Sequence, residues 1–217
     1  MSLTVAYMLT QLSSLPVAIS LPTLANHFET TIDDAAWIVI IYLLMMGSLV
    51  LLAARLGDHY GHARVFFAGL LISTLGSGLI VLAQELWQVV MLRALTGLGS
   101  ALVMGNANAI LASTFDTGER GRAFAIPIIG ARFGTLVGLA VFGLFLQFFD
   151  WRLIFAAFLP LGFLAIAVSV PMLRHTQPDR STEGRGAIDW PGAALLAITA
   201  IVLILSLMLS VGTSARA

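Results

Sequence analysis

Two arginines stand where a charge is hard to hold. Arg93 lies in "VVMLRALTGLGS" and Arg132 in "IPIIGARFGTLVG", runs with no other ionisable residue. A guanidinium keeps its proton in a protein, and placing one at the centre of a bilayer costs at least about 2.5–3.5 kcal/mol. Each must therefore meet a water-filled cavity or a polar partner. The chemistry open to them is to hold an anionic group or to couple a charge to a conformational change. For Arg132, plain hydrogen bonding to carbonyls or asparagine side chains explains the residue equally well. Gln11, Asn106 and Asn108 are uncharged polar groups in similar apolar runs, placed where they could line the same cavity.

A second concentration of chemistry is the stretch "LAARLGDHYGHARVF", residues 52–66, which gathers Arg55, Asp58, His59, His62 and Arg64 around Gly57 and Gly61 between two apolar runs. Glycines let two helix ends approach closely, and Asp58 paired with an arginine across such a turn would form a charged latch. An ordinary solvated loop rich in arginine reads equally well from charge statistics. His27, His59, His62 and His175 show no metal-ligand spacing, and cysteine is absent. No phosphate-cradling glycine loop, nucleophile elbow or zinc-binding helix occurs. Neither a metal nor a cofactor is expected, and nothing argues for an enzyme.

The elements that must position these residues follow from composition. Of 217 residues, 59% are hydrophobic and 10% charged, against about 45–50% and about 25% in soluble domains. One soluble core could not hide so much apolar surface, so the expected solvent is the lipid bilayer. Net charge is zero, which gives nucleic acid no electrostatic footing. Spans of roughly 20 apolar residues are expected at 3–24, 36–54, 65–84, 88–112, 123–147, 152–173 and 190–211. A polar, turn-rich linker, 174–189, separates a six-helix block (1–173) from a seventh transmembrane helix and short tail (190–217). Seven of the eleven arginines fall in the loops after the second, fourth and sixth spans (55, 64, 120, 122, 174, 180, 185). By the positive-inside rule those loops and the N-terminus are cytoplasmic.

Several segments carry a resemblance. "ARLGDHYGHARV" is similar to the signature loop of the major facilitator superfamily, G-x-L-x-D-R-x-G-R-R, at Leu56, Asp58 and Gly61. Ala54, His59, His62 and Ala63 depart from it. "RALTGLGSALVMG" resembles the second motif of that superfamily, R-x-x-Q-G-x-G-x-A, at Arg93, Gly97, Gly99 and Ala101, with Thr96 where glutamine is common. "WIVIIYLL", "ERGRAF", "DWRLIF" and "IDWPGAALLAI" look in order like segments of the fourteen-helix, multidrug-efflux branch.

The resemblance implies an all-α integral membrane protein. Its core is a six-helix facilitator-type bundle of two inverted three-helix repeats, followed by a seventh transmembrane helix. It further implies a conformational gate at Arg55, Asp58, Gly61 and Arg64, and a coupling or substrate cavity with Arg93, Arg132, Asn106 and Gln11. Helix packing would fall at Gly97, Gly99, Gly138 and Gly143. The expected function is secondary-active transport of small molecules across the inner membrane by the N-terminal half of an efflux-type transporter. Its partner would be a complementary C-terminal half or a second copy.

Two departures bear on mechanism. Ser13 stands at the position of the branch's first-helix aspartate, and "GLAVFG" keeps only Gly138 and Gly143 of the antiporter motif G-P-x-x-G-G, with Leu139 at the proline. All eleven acidic residues lie in loops or at span edges, which argues against a proton relay confined to this chain. These losses leave a second expectation, a non-transporting membrane assembly partner or a decayed transporter fragment.

Overall fold

The computed structural model describes residues 15–114, 118–148 and 150–175, together with positions 4, 6, 7, 10, 192, 195, 198, 199, 202 and 206. Every regular element among them is helical: α1 Leu15–Ile19, α2 Leu21–His27, α3 Ile32–Tyr60, α4 His62–Ile80, α5 Leu86–Thr114, α6 Arg120–Phe148, α7 Arg152–Ala156 and α8 Phe158–His175. Gln11 and Ser13, residues 176–189 of the expected linker, and most of the seventh span lie outside the described residues. Four described stretches are long and apolar enough to cross a bilayer: Ile32–Tyr60, His62–Ile80, Leu86–Thr114 and Arg152–Pro171.

Local chemistry sets the helix ends. Thr31 caps α3, its Oγ1 accepting from the Asp34 amide at 3.1 Å and donating to the Asp34 carboxylate at 2.8 Å. Asp33 and Asp34 in the first turn suit the partial positive charge there. At the start of α5 the Gln88 side-chain oxygen accepts from the Gln84 amide at 2.8 Å. The break at Ser20 between α1 and α2 precedes Pro22, which has no amide hydrogen to continue the helical ladder.

The stretch expected to form a turn between spans is helical almost throughout. α3 runs on to Tyr60, α4 begins at His62, and the connection is the single residue Gly61. Gly61 has φ +96° and ψ 123°; its amide closes α3 on the Gly57 carbonyl at 2.8 Å, and its carbonyl accepts from Arg64 and Val65 to open α4. Asp58 consequently sits in the last turn of α3 rather than at the start of α4.

α5 is the central element, packing extensively on both α3 and α4. In lipid no hydrophobic drive pulls helices together, so small residues that allow close backbone approach decide the contact. A Cβ added to Gly97 would lie 2.7 Å from the Tyr42 carbonyl of α3, and one on Gly105 2.6 Å from the Val50 carbonyl. Against α4, a Cβ on Gly99 would lie 2.7 Å from the Ser73 amide and one on Gly69 2.7 Å from the Gly99 carbonyl. Gly138 is buried, whereas a Cβ on Gly143 meets nothing within 4 Å among the described residues. α8 runs antiparallel to α4, Gly162 meeting Thr74 and Leu159 meeting Gly78.

Aromatic packing closes the end of the bundle remote from Gly61. Trp151, only 2% exposed, lies against His27, Phe28 and Phe155. Arg152 donates to the Val81 and Ala83 carbonyls at 3.2 and 3.0 Å, pairs with Asp150 at 3.4 Å and covers the Trp151 ring. α7 is thereby fastened to the end of α4.

Gly61 and Gly143 make a paired test. Among the described residues an added methyl meets nothing within 4 Å at either, so backbone conformation separates them. Gly61→Ala is expected to lower stability by about 1–3 kcal/mol through its positive φ. Gly143→Ala is expected to be neutral or to stabilise by up to about 1 kcal/mol, as helix propensity dictates. Unfolding in mixed detergent micelles would measure both.

Candidate functional site

Arg93 projects from α5 into the interior and is 1% exposed. Its Nε donates to the Ile38 carbonyl of α3 at 3.0 Å, and its guanidinium carbon lies 4.3 Å from the centre of the Tyr42 ring. The Ile38 oxygen is an intrahelical acceptor one turn before Tyr42, so its second lone pair serves the arginine. Tyr42 is itself fully buried, its hydroxyl donating to the Thr10 carbonyl at 3.0 Å and lying 3.1 Å from Ser100 Oγ. Arginine, tyrosine and serine thus join Thr10, α3 and α5 through one polar chain. A guanidinium over an aromatic face gains about 2 kcal/mol or more when desolvated.

Asn106, two turns from the end of α5, belongs to a second interior network. It is completely buried, and its Nδ2 donates to the Ala53 carbonyl of α3 at 2.9 Å and the Leu102 carbonyl at 2.8 Å. Its Oδ1 faces His62 Nδ1 at 2.8 Å, and His62 Nε2 lies 3.3 Å from Asp58 Oδ1. A side chain at Gly57 would run into both the Asn106 amide and the His62 ring. The glycine therefore opens the space that the network fills.

Arg55 and Arg64 are exposed and make no ion pair among the described residues; the partner of Asp58 is His62.

The neighbouring polar group behaves differently. Asn108 is exposed, and its Oδ1 accepts the Tyr7 hydroxyl at 2.7 Å. Tyr7 packs in one cluster with Ala131 of α6, and Gly130 lies against Thr4. Arg132 follows directly on α6 and is exposed, about 18 Å along that helix from Arg120. Around it Ile126, Ile128, Ile129, Phe133, Leu136 and Val137 are exposed as well.

The structure thus brings Arg93 and Asn106 into the packed interior, each bonded internally, and leaves Arg132 and Asn108 on the outside. Sequence reasoning missed Tyr42, Tyr7, Arg152 and the bonding role of His62. Tyr42, whose carbonyl meets Gly97, showed in the sequence only as part of "WIVIIYLL" and with no bonding role. His62 stood out only as a histidine at a position usually basic in the motif it resembles.

A sequence model described as Major Facilitator Superfamily matches residues 3–215. The riboflavin transporter RibZ of Clostridioides difficile is 26% identical over 186 residues, covering 86% of this chain and 40% of that protein. The tetracenomycin C resistance and export protein of Streptomyces glaucescens is 29% identical, covering 90% and 36%. The puromycin resistance protein pur8 of Streptomyces alboniger is 31% identical, covering 88% and 37%. The chain spans less than half the length of each. Among solved structures, the peptide transporter POT in complex with alafosfalin superposes with a TM-score of 0.67 at 20% identity, over 95% of this chain and 45% of that one. A bacterial homologue of the human lysosomal transporter Spinster, inward-facing and occupied, gives 0.64 at 18%, over 81% and 43%.

The Arg93–Tyr42 chain can be dissected at two levels. Tyr42→Phe keeps the ring over Arg93 and removes the hydroxyl bonds, with an expected loss of about 1 kcal/mol. Tyr42→Ala also strips the aromatic face from a buried cation, and about 3–5 kcal/mol should be lost. Equal losses in the two variants, measured by unfolding in mixed micelles, would contradict the cation–π contact.

Proposed function

The chain belongs to the Major Facilitator Superfamily, and from that premise we propose that it forms the N-terminal half of a secondary-active, efflux-type transporter of small molecules. It is a membrane-embedded helical bundle, as the family and its apolar helices require. In the proposed arrangement it lies in the inner membrane with its N-terminus and the Gly61 end cytoplasmic. A complementary six-helix half, or a second copy, covers the side of α6. The named activities of the relatives, export of tetracenomycin C, resistance to puromycin and transport of riboflavin, support the substrate class only at the level of small organic molecules.

One observation carries the reading: the exposed guanidinium of Arg132 in the middle of an apolar helix. Facing hydrocarbon it would cost at least about 2.5–3.5 kcal/mol. Facing a water-filled cleft between two bundles it costs little and offers a cation to a substrate. Substrate sites in this architecture lie at the interface of two repeats near the bilayer midplane. Asn108, held by Tyr7, supplies a hydrogen-bond donor at the same proposed cleft. Arg93, Tyr42 and Asn106 fix the shape of the half that moves, and Asp58 with Arg55, Gly61 and Arg64 forms its cytoplasmic gate. Coupling calls on the other half or on a loop carboxylate.

Reconstitution in proteoliposomes tests this proposal. With a complementary six-helix half, efflux of a fluorescent dye should appear, and Arg132→Gln should reduce it at least tenfold, about 1.4 kcal/mol in the rate-limiting step. The chain without that half should be inert unless it dimerises, which crosslinking reads directly. Flux by a crosslink-free monomer would refute the half-transporter reading. A chain that inserts and folds but supports no flux with any second half would be the non-transporting assembly partner.

A further inference from the structure

Asn106 defines the protonation of its neighbour by geometry alone. Two carbonyl oxygens, of Ala53 and Leu102, stand at 2.9 and 2.8 Å from one end of its amide, and carbonyls only accept. That end is therefore the nitrogen, and the oxygen must point at His62. His62 Nδ1, 2.8 Å from that oxygen, must carry a hydrogen. The other ring nitrogen, Nε2, faces the Asp58 carboxylate at 3.3 Å, also an acceptor. Only the doubly protonated imidazolium satisfies both sides. A neutral ring keeping its proton for Asn106 would turn a lone pair toward a carboxylate, and that contact would break.

We propose that His62 is a proton-operated clasp at the Gly61 end of the bundle, its charged form binding Asp58 of α3 and Asn106 of α5 together through α4 and its neutral form releasing Asp58. The direction follows from the geometry: gaining a proton tightens the arrangement and losing it loosens the Asp58 contact. His62 is partly exposed, its side chain 30% accessible, so protons reach it from the aqueous phase. The missing side chain at Gly57 is a second sign that the network is built rather than incidental, since Asn106 and His62 fill the space a Cβ there would need.

Other charged groups are placed around the clasp. From α3, Arg55 and His59 are exposed on the same turns as Asp58, and on α4 itself Arg64 is exposed two residues after His62. α5 contributes Asn106 alone, because its one ionisable residue, Arg93, lies about 20 Å up the helix. The antiparallel register of α8 on α4 places Arg174 and His175 at the same level. The sequence carries two further histidines at this end, His59 and His175, so a substitution at His62, not pH alone, must carry the test.

The proposal deepens the transporter reading, in which a clasp on Asp58 sets how readily the gate engages a second half. Its test needs neither substrate nor partner, so failure of transport leaves it readable. Nitrogen-15 spectra of the full chain with labelled histidine rings, in nanodiscs, should show His62 protonated at both nitrogens at pH 6 and losing the Nε2 proton by pH 8. His62→Gln assigns the signal. Because the chain has no cysteine, Val65→Cys gives a single buried thiol one turn beyond the clasp. Its labelling by an uncharged maleimide should rise severalfold more between pH 6 and pH 8 than in the same chain carrying His62→Gln or Asp58→Asn. A His62 ring that stays neutral at Nε2 down to pH 6 would overturn the proposal. Identical labelling profiles with and without Asp58→Asn would overturn it as well.

Discussion

Everything in this bundle depends on how closely α5 approaches its two neighbours. A hydrophobic core in water assembles because apolar surface leaves the solvent; in a bilayer the lipid chains are as apolar as leucine, and that drive is gone. What remains is backbone proximity and the hydrogen bonds it brings within reach. Gly97 and Gly105 put α5 against the carbonyls of α3, and Gly99 with Gly69 does the same for α4. Only at that separation can Arg93 Nε reach the Ile38 carbonyl and Asn106 Nδ2 reach the Ala53 carbonyl. The small residues and the polar bonds are therefore one device, and a methyl group at any of these glycines would open both.

The same contact divides the polar groups of the spans into two classes. Arg93, Tyr42, Ser100 and Asn106 are buried, and their bonds tie α5 to α3 and Tyr42 to Thr10. Arg132 and Asn108 are exposed, and lipid cannot solvate them. Under the proposed function the second class faces the translocation path, and the first gives the moving half its rigidity. The two ends of the bundle are closed by different chemistry. Arg152 fastens one end through carbonyl bonds that persist at any physiological pH. His62 fastens the other through its two ring nitrogens, one facing Asn106 and one facing Asp58.

Among the described residues, the order and approximate extent of the helices from α3 to α8 were legible in the sequence, because a span must be about 20 apolar residues long whatever it packs against. The small residues of α5 were legible too, since their spacing survives in any helix. The length of α3 was not. "RLGDHY" looks like a polar loop, but at the edge of a membrane polarity no longer reports on secondary structure, and α3 runs through it until Gly61 takes a positive φ. Depth was readable for Arg93, Arg132, Asn106 and Asn108 alike, and depth alone ranked them as equals.

Facing was decided only by the tertiary structure. Asn106 and Asn108 differ by two positions, hence by about 200° around the helix axis, and so they point to opposite sides. A soluble helix would betray which side is inward by its polar stripe, but a helix that is apolar all round carries no such stripe. The sequence determined that this chain lives in lipid, where its helices run, and which residues let them touch. Which asparagine is locked inside, which looks out, and that His62 rather than an arginine answers Asp58 waited on the rotation of α5 between α3 and α4. That rotation is set by contacts between residues roughly 25 to 55 positions apart, which no local pattern records.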